Sequence, residues 1–301
     1  MSSASDPRFI IPLQSGNYWK PLNLLHNTYP RGATPSIFSF ADPGTPLLQW
    51  FADEGGGLAF YTDLSDVYDA LFPVSEAQKA LFDRILSSGP VRRVADAGCG
   101  SGAQLLPFAQ AGAECIGFDP DPALVALARK KLGRWPAARV EVGGFADTER
   151  LVQPPADLLL CLGNSLVHVP QEEAARFLRD ACAVLSGGGR LLLQILNYDR
   201  LLLHGVTSLP LMTVADGAVE FRRGYAWEGP RKVRFRTALR VSTGGQPRIF
   251  HNDISLHPLY PDELWEMLSR AGFSDIRFTG DFAGSEFSPD SEALVSLVRK
   301  P

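Results

Sequence analysis

The residues best suited to chemistry begin with one run, Val94-Ala95-Asp96-Ala97-Gly98-Cys99-Gly100-Ser101-Gly102. An apolar strand leads into a Gly-x-Gly-x-Gly turn, where glycine lets the backbone bend sharply and approach a ligand closely. A helix starting there would offer free N–H groups to an anionic group. Two details separate this turn from a dinucleotide-binding one. Asp96 precedes the first glycine, and its carboxylate suits a cationic ligand and repels a pyrophosphate. The third glycine follows the second by two residues, so the pattern is not G-x-G-x-x-G. Ligand contacts are expected from Asp96, Gly98, Cys99, Gly100 and Gly102. A second segment, Gly117-Phe118-Asp119-Pro120-Asp121, lies about 20 residues further on, where a strand-end carboxylate accepts hydrogen bonds from ribose hydroxyls. Asp119, beside Pro120, is the expected ribose acceptor. Asp121 reads as the N-cap of the next helix, with Pro122 at its first position.

A third segment is Cys161-Leu162-Gly163-Asn164-Ser165-Leu166-Val167-His168. Its polar turn follows an apolar strand, where doubly wound sheets bind ligands. Leu162, Gly163 and Asn164 are expected at the ligand. His168 titrates near neutral pH and is the candidate general base. The competing reading is a structural histidine bonded to backbone.

The elements that must position these groups alternate in type. Strands are expected over 91–97, 115–118, 139–142, 157–162 and 190–196. Helices are expected over 104–110, 122–132 and 171–185, the last closed by Gly187-Gly188-Gly189. This order, with strands apolar on both faces, predicts a parallel sheet covered by helices on both sides. Before it, Leu64, Val67, Tyr68, Leu71 and Phe72 are spaced for one helix face, with a second helical segment after Pro73. After residue 215 the pattern turns antiparallel, with strands over 219–227, 232–241 and 248–258. A helix over 261–271 and strands over 274–279 and 293–299 complete the chain. Residues 1–60 hold seven of the 23 prolines yet many large apolar side chains. They read as an irregular arm, either an extension without chemistry or a lid or homodimer arm.

Composition narrows the class. The 301 residues are 45% hydrophobic and 21% charged, with net charge -4, which excludes a disordered chain or a coiled coil. That acidity argues against nucleic acid as partner. No apolar run is long enough to span a membrane, and no secretory signal is evident. The four cysteines form no C-x-x-C pair and read as reduced thiols of a cytoplasmic protein. His251, Asp253 and His257 match no common metal spacing, so no metal is expected. Arg222, Arg223, Arg231, Lys232, Arg234, Arg236, Arg240 and Arg248 stand against a single acid, Glu228. They read either as a solvated sheet face or as a site for an anionic substrate or RNA, with Arg223 or Tyr225 in reach of an acceptor.

The glycine turn together with the acidic strand end resembles the class I S-adenosylmethionine-dependent methyltransferases, over roughly residues 64–300. The resemblance implies a doubly wound, seven-stranded Rossmann-like α/β sheet in residues 61–301, with an antiparallel insertion at about 215–258. It implies S-adenosylmethionine as cofactor. In that family the segment after the third strand meets the adenine; here it is Gly143-Gly144-Phe145-Ala146-Asp147, so Phe145 and Ala146 are expected there. Related enzymes close over the methionine end with the helix before the sheet, which brings in Tyr68. The 161–168 segment and Asn197-Tyr198-Asp199-Arg200 look like the glycine/sarcosine N-methyltransferase group, which places Asn197 and Tyr198 at the acceptor pocket. Those enzymes hold the substrate carboxylate with an arginine just before that Asn-Tyr-Asp. Here Leu196 stands there, so glycine fits poorly and a larger or apolar acceptor fits better. The expected function is methyl transfer to a small molecule, nitrogen favoured over oxygen. The alternatives are an RNA or protein methyltransferase, a nicotinamide dehydrogenase, and a non-catalytic S-adenosylmethionine-binding protein.

Overall fold

The structure is a computed structural model, and it describes residues 67–242 and 246–301. The arm over 1–60 and Leu64 lie outside the described residues.

Six strands form the main sheet: β1 (Arg93–Ala97), β2 (Glu114–Asp119), β3 (Ala138–Val142), β4 (Ala156–Cys161), β5 (Leu185–Leu196) and β10 (Ala293–Arg299), in the order β10-β5-β4-β1-β2-β3. All neighbours are parallel except β10, which runs antiparallel to β5. The chain steps outward from β1 to β3 and returns to β4 on the other side of β1. That switch point opens a crevice at the carboxyl ends of β1 and β4.

The alternation of side chains along the strands gives two cores. Ala95, Leu159 and Leu193 face one side, against α6 (Gln171–Val184) and α8 (Pro261–Arg270); Val94, Leu158 and Leu192 face the other, against α2 (Glu76–Ser87), α3 (Leu106–Gln110) and α4 (Pro122–Leu132). Local signals set the helix ends. Ser75 and Gln78 form a reciprocal capping box on α2. Asp121 caps α4 by accepting from Ala123 N (2.8 Å) and Leu124 N (3.0 Å), as expected.

Three expectations change. The seventh strand over 274–279 is reduced to single bridges, Ser274 to Arg299 and Thr279 to Val295, because Asp275 adopts a left-handed conformation (φ 56°). Gly187–Gly189 do not close a helix; they lie inside β5, held there by Gly188 N to Lys300 O (3.1 Å) and Lys300 N to Gly189 O (2.8 Å). The antiparallel segment starts before 215 and has four strands: β6 (Ser208–Val214), β7 (Val219–Gly229), β8 (Lys232–Val241) and β9 (Arg248–Leu256).

One face of this second sheet packs on the main body along two lines. Tyr225, Val233 and Leu256 join the core around Tyr198 and β5. Val219, Phe221 and Leu239 pack against Leu71 of the one-turn helix α1 (Tyr68–Leu71), with Phe72 edge-on to Phe221 at 5.7 Å. No helix of the described residues is long and apolar enough to cross a membrane.

Candidate functional site

The glycine turn lies at the carboxyl end of β1. Gly98, Gly100 and Gly102 have φ of 77°, 52° and 73°, which other residues adopt only with strain. The turn's own N–H groups are largely spent. Gly98 N and Cys99 N donate to Phe118 O, Gly102 N donates to Cys99 O, and Gly100 N donates to the Asp119 carboxylate at 2.9 Å. The next helix, α3, begins only at Leu106. The glycines themselves therefore offer little to an anionic group, and the N–H groups left for one are those of Ser101, Ala103 and Gln104. Cys99 faces inward: a Cβ on Gly117 would lie 2.9 Å from its sulfur, which makes the thiol a packing group.

What the turn does offer is carboxylate. Asp96 is 1% exposed, and its Oδ2 is buried with no hydrogen-bond partner among the described residues. Burial, with the nearby Asp119 charge adding to it, pushes its pKa up to about 8. Buried unpaired carboxylate oxygens are rare in folded proteins and call for an explanation. Asp119 is also buried. One of its oxygens accepts from Gly100 N and the other from Asp121 N (2.9 Å), which leaves a lone pair on each toward the crevice. Burial raises its pKa, and those two backbone donors oppose the rise.

Tyr68 leans over the turn from α1. A Cβ on Gly100 would lie 3.0 Å from its hydroxyl, so this glycine is needed for the close approach as well as for its φ. The neighbouring residue fixes α1 in place. Asp69 accepts from Ser101 Oγ and pairs with Lys131 Nζ, both at 2.5 Å, and Lys131 also donates to Ser101 Oγ at 2.9 Å. Sequence reading missed this three-way clasp; a serine between two turn glycines was its only visible sign.

After β3, Phe145 opens a short 3-10 turn (Phe145–Asp147). Its ring is half-buried, lying 4.3 Å from Phe177, and Ala146 is exposed beside it. Asp147 is occupied by Gly144 N (3.0 Å) and Arg150 (2.7 Å). Pro120 is exposed next to Asp119.

After β4, Gly163 and Asn164 are both left-handed (φ 68° and 67°). Gly163 N donates to Gln194 Oε1 at 2.9 Å, and Asn164 Oδ1 accepts from Leu196 N at 3.0 Å. Asn164 Nδ2 donates to the Tyr198 hydroxyl at 2.9 Å. Leu162 is buried. The Asn164 side chain is thus a strut between β4 and β5. Gln194, which pins the Gly163 turn, was missed, although a lone polar residue in Leu191-Leu192-Leu193-Gln194-Ile195-Leu196 was visible. A Cβ on Gly98 would meet Ser165 Oγ at 2.8 Å, so the two turns are in contact.

His168 ends the 3-10 turn Ser165–His168 and is exposed. It makes no hydrogen bond within the described residues, so it is not the backbone-bonded histidine of the competing reading. The protein around it lowers its pKa by desolvation, so the imidazole is neutral at pH 7 and a weaker base than a free histidine.

Two expected pocket residues are not in the pocket. Asn197 is 1% exposed. It donates to Pro289 O (3.0 Å) and Ser291 O (2.9 Å) and caps α7 (Tyr198–Leu203). Tyr198 is fully buried, edge-on to Trp227 at 6.5 Å. Burial raises its phenol pKa far above the ordinary value. The basic stretch is also corrected. Arg240 pairs with Glu220, Arg234 and Arg236 with Asp253, Arg231 with Glu263, and Lys232 with Glu228. The charge of that outer face is thus partly offset by acids of β7, β9 and α8, and Asp253 belongs to it rather than to a core.

Residues 94–189 match the model of a methyltransferase domain. A glycine/sarcosine N-methyltransferase of Parasynechococcus marenigrum is 29% identical over 242 residues, 77% of this chain and 81% of that protein. The enzyme of the same name from Aphanothece halophytica is 25% identical over 228 residues, 75% of this chain and 83% of the relative. In fold, the chain is similar to the CcbJ methyltransferase of Streptomyces caelestis, with TM-score 0.67 and 23% identity over 80% of this chain and 97% of the other.

Proposed function

Starting from a chain that is a class I S-adenosylmethionine-dependent methyltransferase near the glycine/sarcosine N-methyltransferase group, we propose that it methylates the nitrogen of a small-molecule amine. The observation that carries the cofactor assignment is the buried Asp96 oxygen, unpartnered among the described residues, at the start of a glycine turn whose glycine N–H groups are spent. That donor set fits a ligand with a cationic amino-acid end and no phosphate. The names of the relatives support nitrogen as the acceptor atom.

The cofactor supplies an electrophilic methyl group on a sulfonium. The work left to the chain is binding, alignment, exclusion of water and removal of one proton. Asp96 holds the ammonium of the methionine end. Asp119 takes the ribose hydroxyls on its two remaining lone pairs. The open face of Phe145, with Ala146, flanks the adenine, and the backbone of Leu162 and Gly163 closes the crevice floor. Tyr68, fixed by the Asp69–Ser101–Lys131 clasp, covers the turn and keeps water out. His168, neutral at pH 7, accepts the proton that the acceptor ammonium must lose to free its lone pair. Held there, the sulfonium would supply its methyl group to the acceptor nitrogen and be left as a neutral thioether.

The test is a methyl-transfer assay with the full chain and an amine panel, beside a phenol panel. N-methylated product with equimolar S-adenosylhomocysteine is expected. Products confined to phenols would refute nitrogen as the acceptor.

A further inference from the structure

The inner face of the second sheet carries a polar row that the site described so far does not use. In register, Arg223 of β7 lies opposite Thr237 of β8, and Thr237 lies opposite Asn252 of β9. Paired residues share a face of a sheet. The row below is Phe221–Leu239–Phe250 and the row above is Tyr225–Phe235–Ile254, so three polar residues sit in an otherwise apolar surface.

The flanking rows locate it. The Phe221 row packs on α1, whose Tyr68 leans over Gly100. The Tyr225 row packs on the core around Tyr198, whose hydroxyl is bonded to Asn164. The polar row therefore spans the interval between the β1 turn and the β4 turn, over the crevice.

Two polar atoms in the row are unsatisfied. Thr237 is 2% exposed and its hydroxyl has no partner among the described residues. Arg223 Nε is buried and also has none. The same guanidinium donates through Nη2 to Pro210 O (3.0 Å) and lies 5.8 Å from the Phe221 ring centre, but among the described residues it meets no carboxylate. The contrast with the outer face is sharp, since Arg234, Arg236 and Arg240 all have acids within 3.3 Å. Desolvation lowers the Arg223 pKa, as for a guanidinium held in an apolar setting without a counter-ion. A buried donor left open costs stability unless something else accepts from it.

We propose that Arg223 and Thr237 form an oxyanion subsite in the roof of the crevice, which binds a carboxylate or phosphate carried by the amine acceptor. The ligand's oxygens accept from Arg223 Nε–H and the Thr237 hydroxyl, a charge-assisted pair. Binding from the roof does the job for which Leu196 offers nothing at the β5 end, and it holds the anion on the second sheet rather than at the strand ends. Acceptors larger than glycine follow from that geometry. The proposal rests on the methyltransferase reading above.

The experiment uses the full chain saturated with S-adenosylhomocysteine for binding, or S-adenosylmethionine for turnover. The probes are α-, β- and γ-amino carboxylates, aminoethyl phosphate and glucosamine phosphate, each beside its neutral counterpart without the anion. Anionic probes are expected to be preferred, and the carboxylate and phosphate arms tell the two sources apart. Arg223→Gln and Thr237→Val should lower kcat/KM for the preferred probe, Arg223→Gln by about 10- to 100-fold, mainly through KM. Arg223→Lys should recover part of the loss, and S-adenosylhomocysteine affinity should stay unchanged in all three. Neutral probes methylated as well as anionic ones, anionic probes neither bound nor methylated, or unchanged kcat/KM in Arg223→Gln would each overturn the subsite. Failure of the wild type to bind S-adenosylhomocysteine would instead overturn the parent reading.

Discussion

Asp96 makes the cofactor site sensitive to pH in a way that can be worked out in advance. With its pKa at about 8, roughly nine-tenths of the side chains are protonated in the free protein at pH 7. A bound ammonium requires the ionised form. S-adenosylhomocysteine carries the α-amino group of a free amino acid, whose neighbouring carboxylate holds the proton well above the ~7.7–8.0 of a chain-terminal amine. Affinity should therefore rise about tenfold per pH unit between roughly pH 6 and 7.5 and level off above about pH 8, where Asp96 is ionised and the ligand is still an ammonium. On the acid side, close to one proton should be released per ligand bound. Calorimetry at about pH 6.5 in two buffers of different ionisation enthalpy measures that number directly.

The same group acts on stability with a definite sign. The folded pKa lies above the ordinary value of 3.8, so between the two the folded state holds a proton that the unfolded state does not. Stability contributed by that proton is lost as pH rises through this window, by up to about 1.4 kcal/mol per pH unit. Asp96→Asn removes the titration. The variant should melt higher than wild type near pH 8, lose the acid limb of the binding profile, and bind S-adenosylhomocysteine at least about tenfold more weakly there. Wild-type affinity that is flat between about pH 6 and 8, with no proton released, would refute the reasoning.

Three further substitutions test the rest of the site. Asp119→Ala removes the expected ribose acceptor along with the anchors of Gly100 and Asp121, and should cost about tenfold or more in cofactor affinity; unchanged affinity in titration would remove Asp119 from the site. Asn164→Ala leaves the Leu196 N–H and the buried Tyr198 hydroxyl without partners, so thermal or denaturant unfolding should show a loss of about 1–3 kcal/mol; intact stability, affinity and turnover together would refute the strut. Gly100→Ala forces a left-handed alanine against the Tyr68 hydroxyl. It should cost about 1–2 kcal/mol from conformation alone, and cofactor affinity should recover in part when Tyr68→Phe is added.

What was legible in the sequence was local. Asp121-Pro122 fixes the start of α4 through a cap and a pre-set φ, and that helix runs over the expected residues. The apolar strands of the parallel sheet were readable because both of their faces are buried. Cross-strand relations were not readable. Glu220 and Asp253 come alongside Arg240, Arg234 and Arg236 only once the register is set, so the fold offsets part of the basic stretch that the sequence showed and leaves Arg223 out. Strand β6 was missed because Pro210 interrupts it and its pairing shifts register between Leu209 and Met212. Asn197 and Tyr198 were placed by resemblance at a strand end, but packing against Trp227 and the 288–291 loop turns both inward. The central carboxylates, Asp96 and Asp119, were found because a strand-end position next to a glycine turn is a one-dimensional signal.

The most direct test of the account is a single incubation of the full chain with methyl-labelled S-adenosylmethionine and a mixed panel of amines, phenols and RNA, followed by mass spectrometry of all products. The account predicts label on amine nitrogen in a small molecule, matched by an equal amount of S-adenosylhomocysteine. Cofactor binding with label in no amine, or label confined to phenols or RNA, would contradict it.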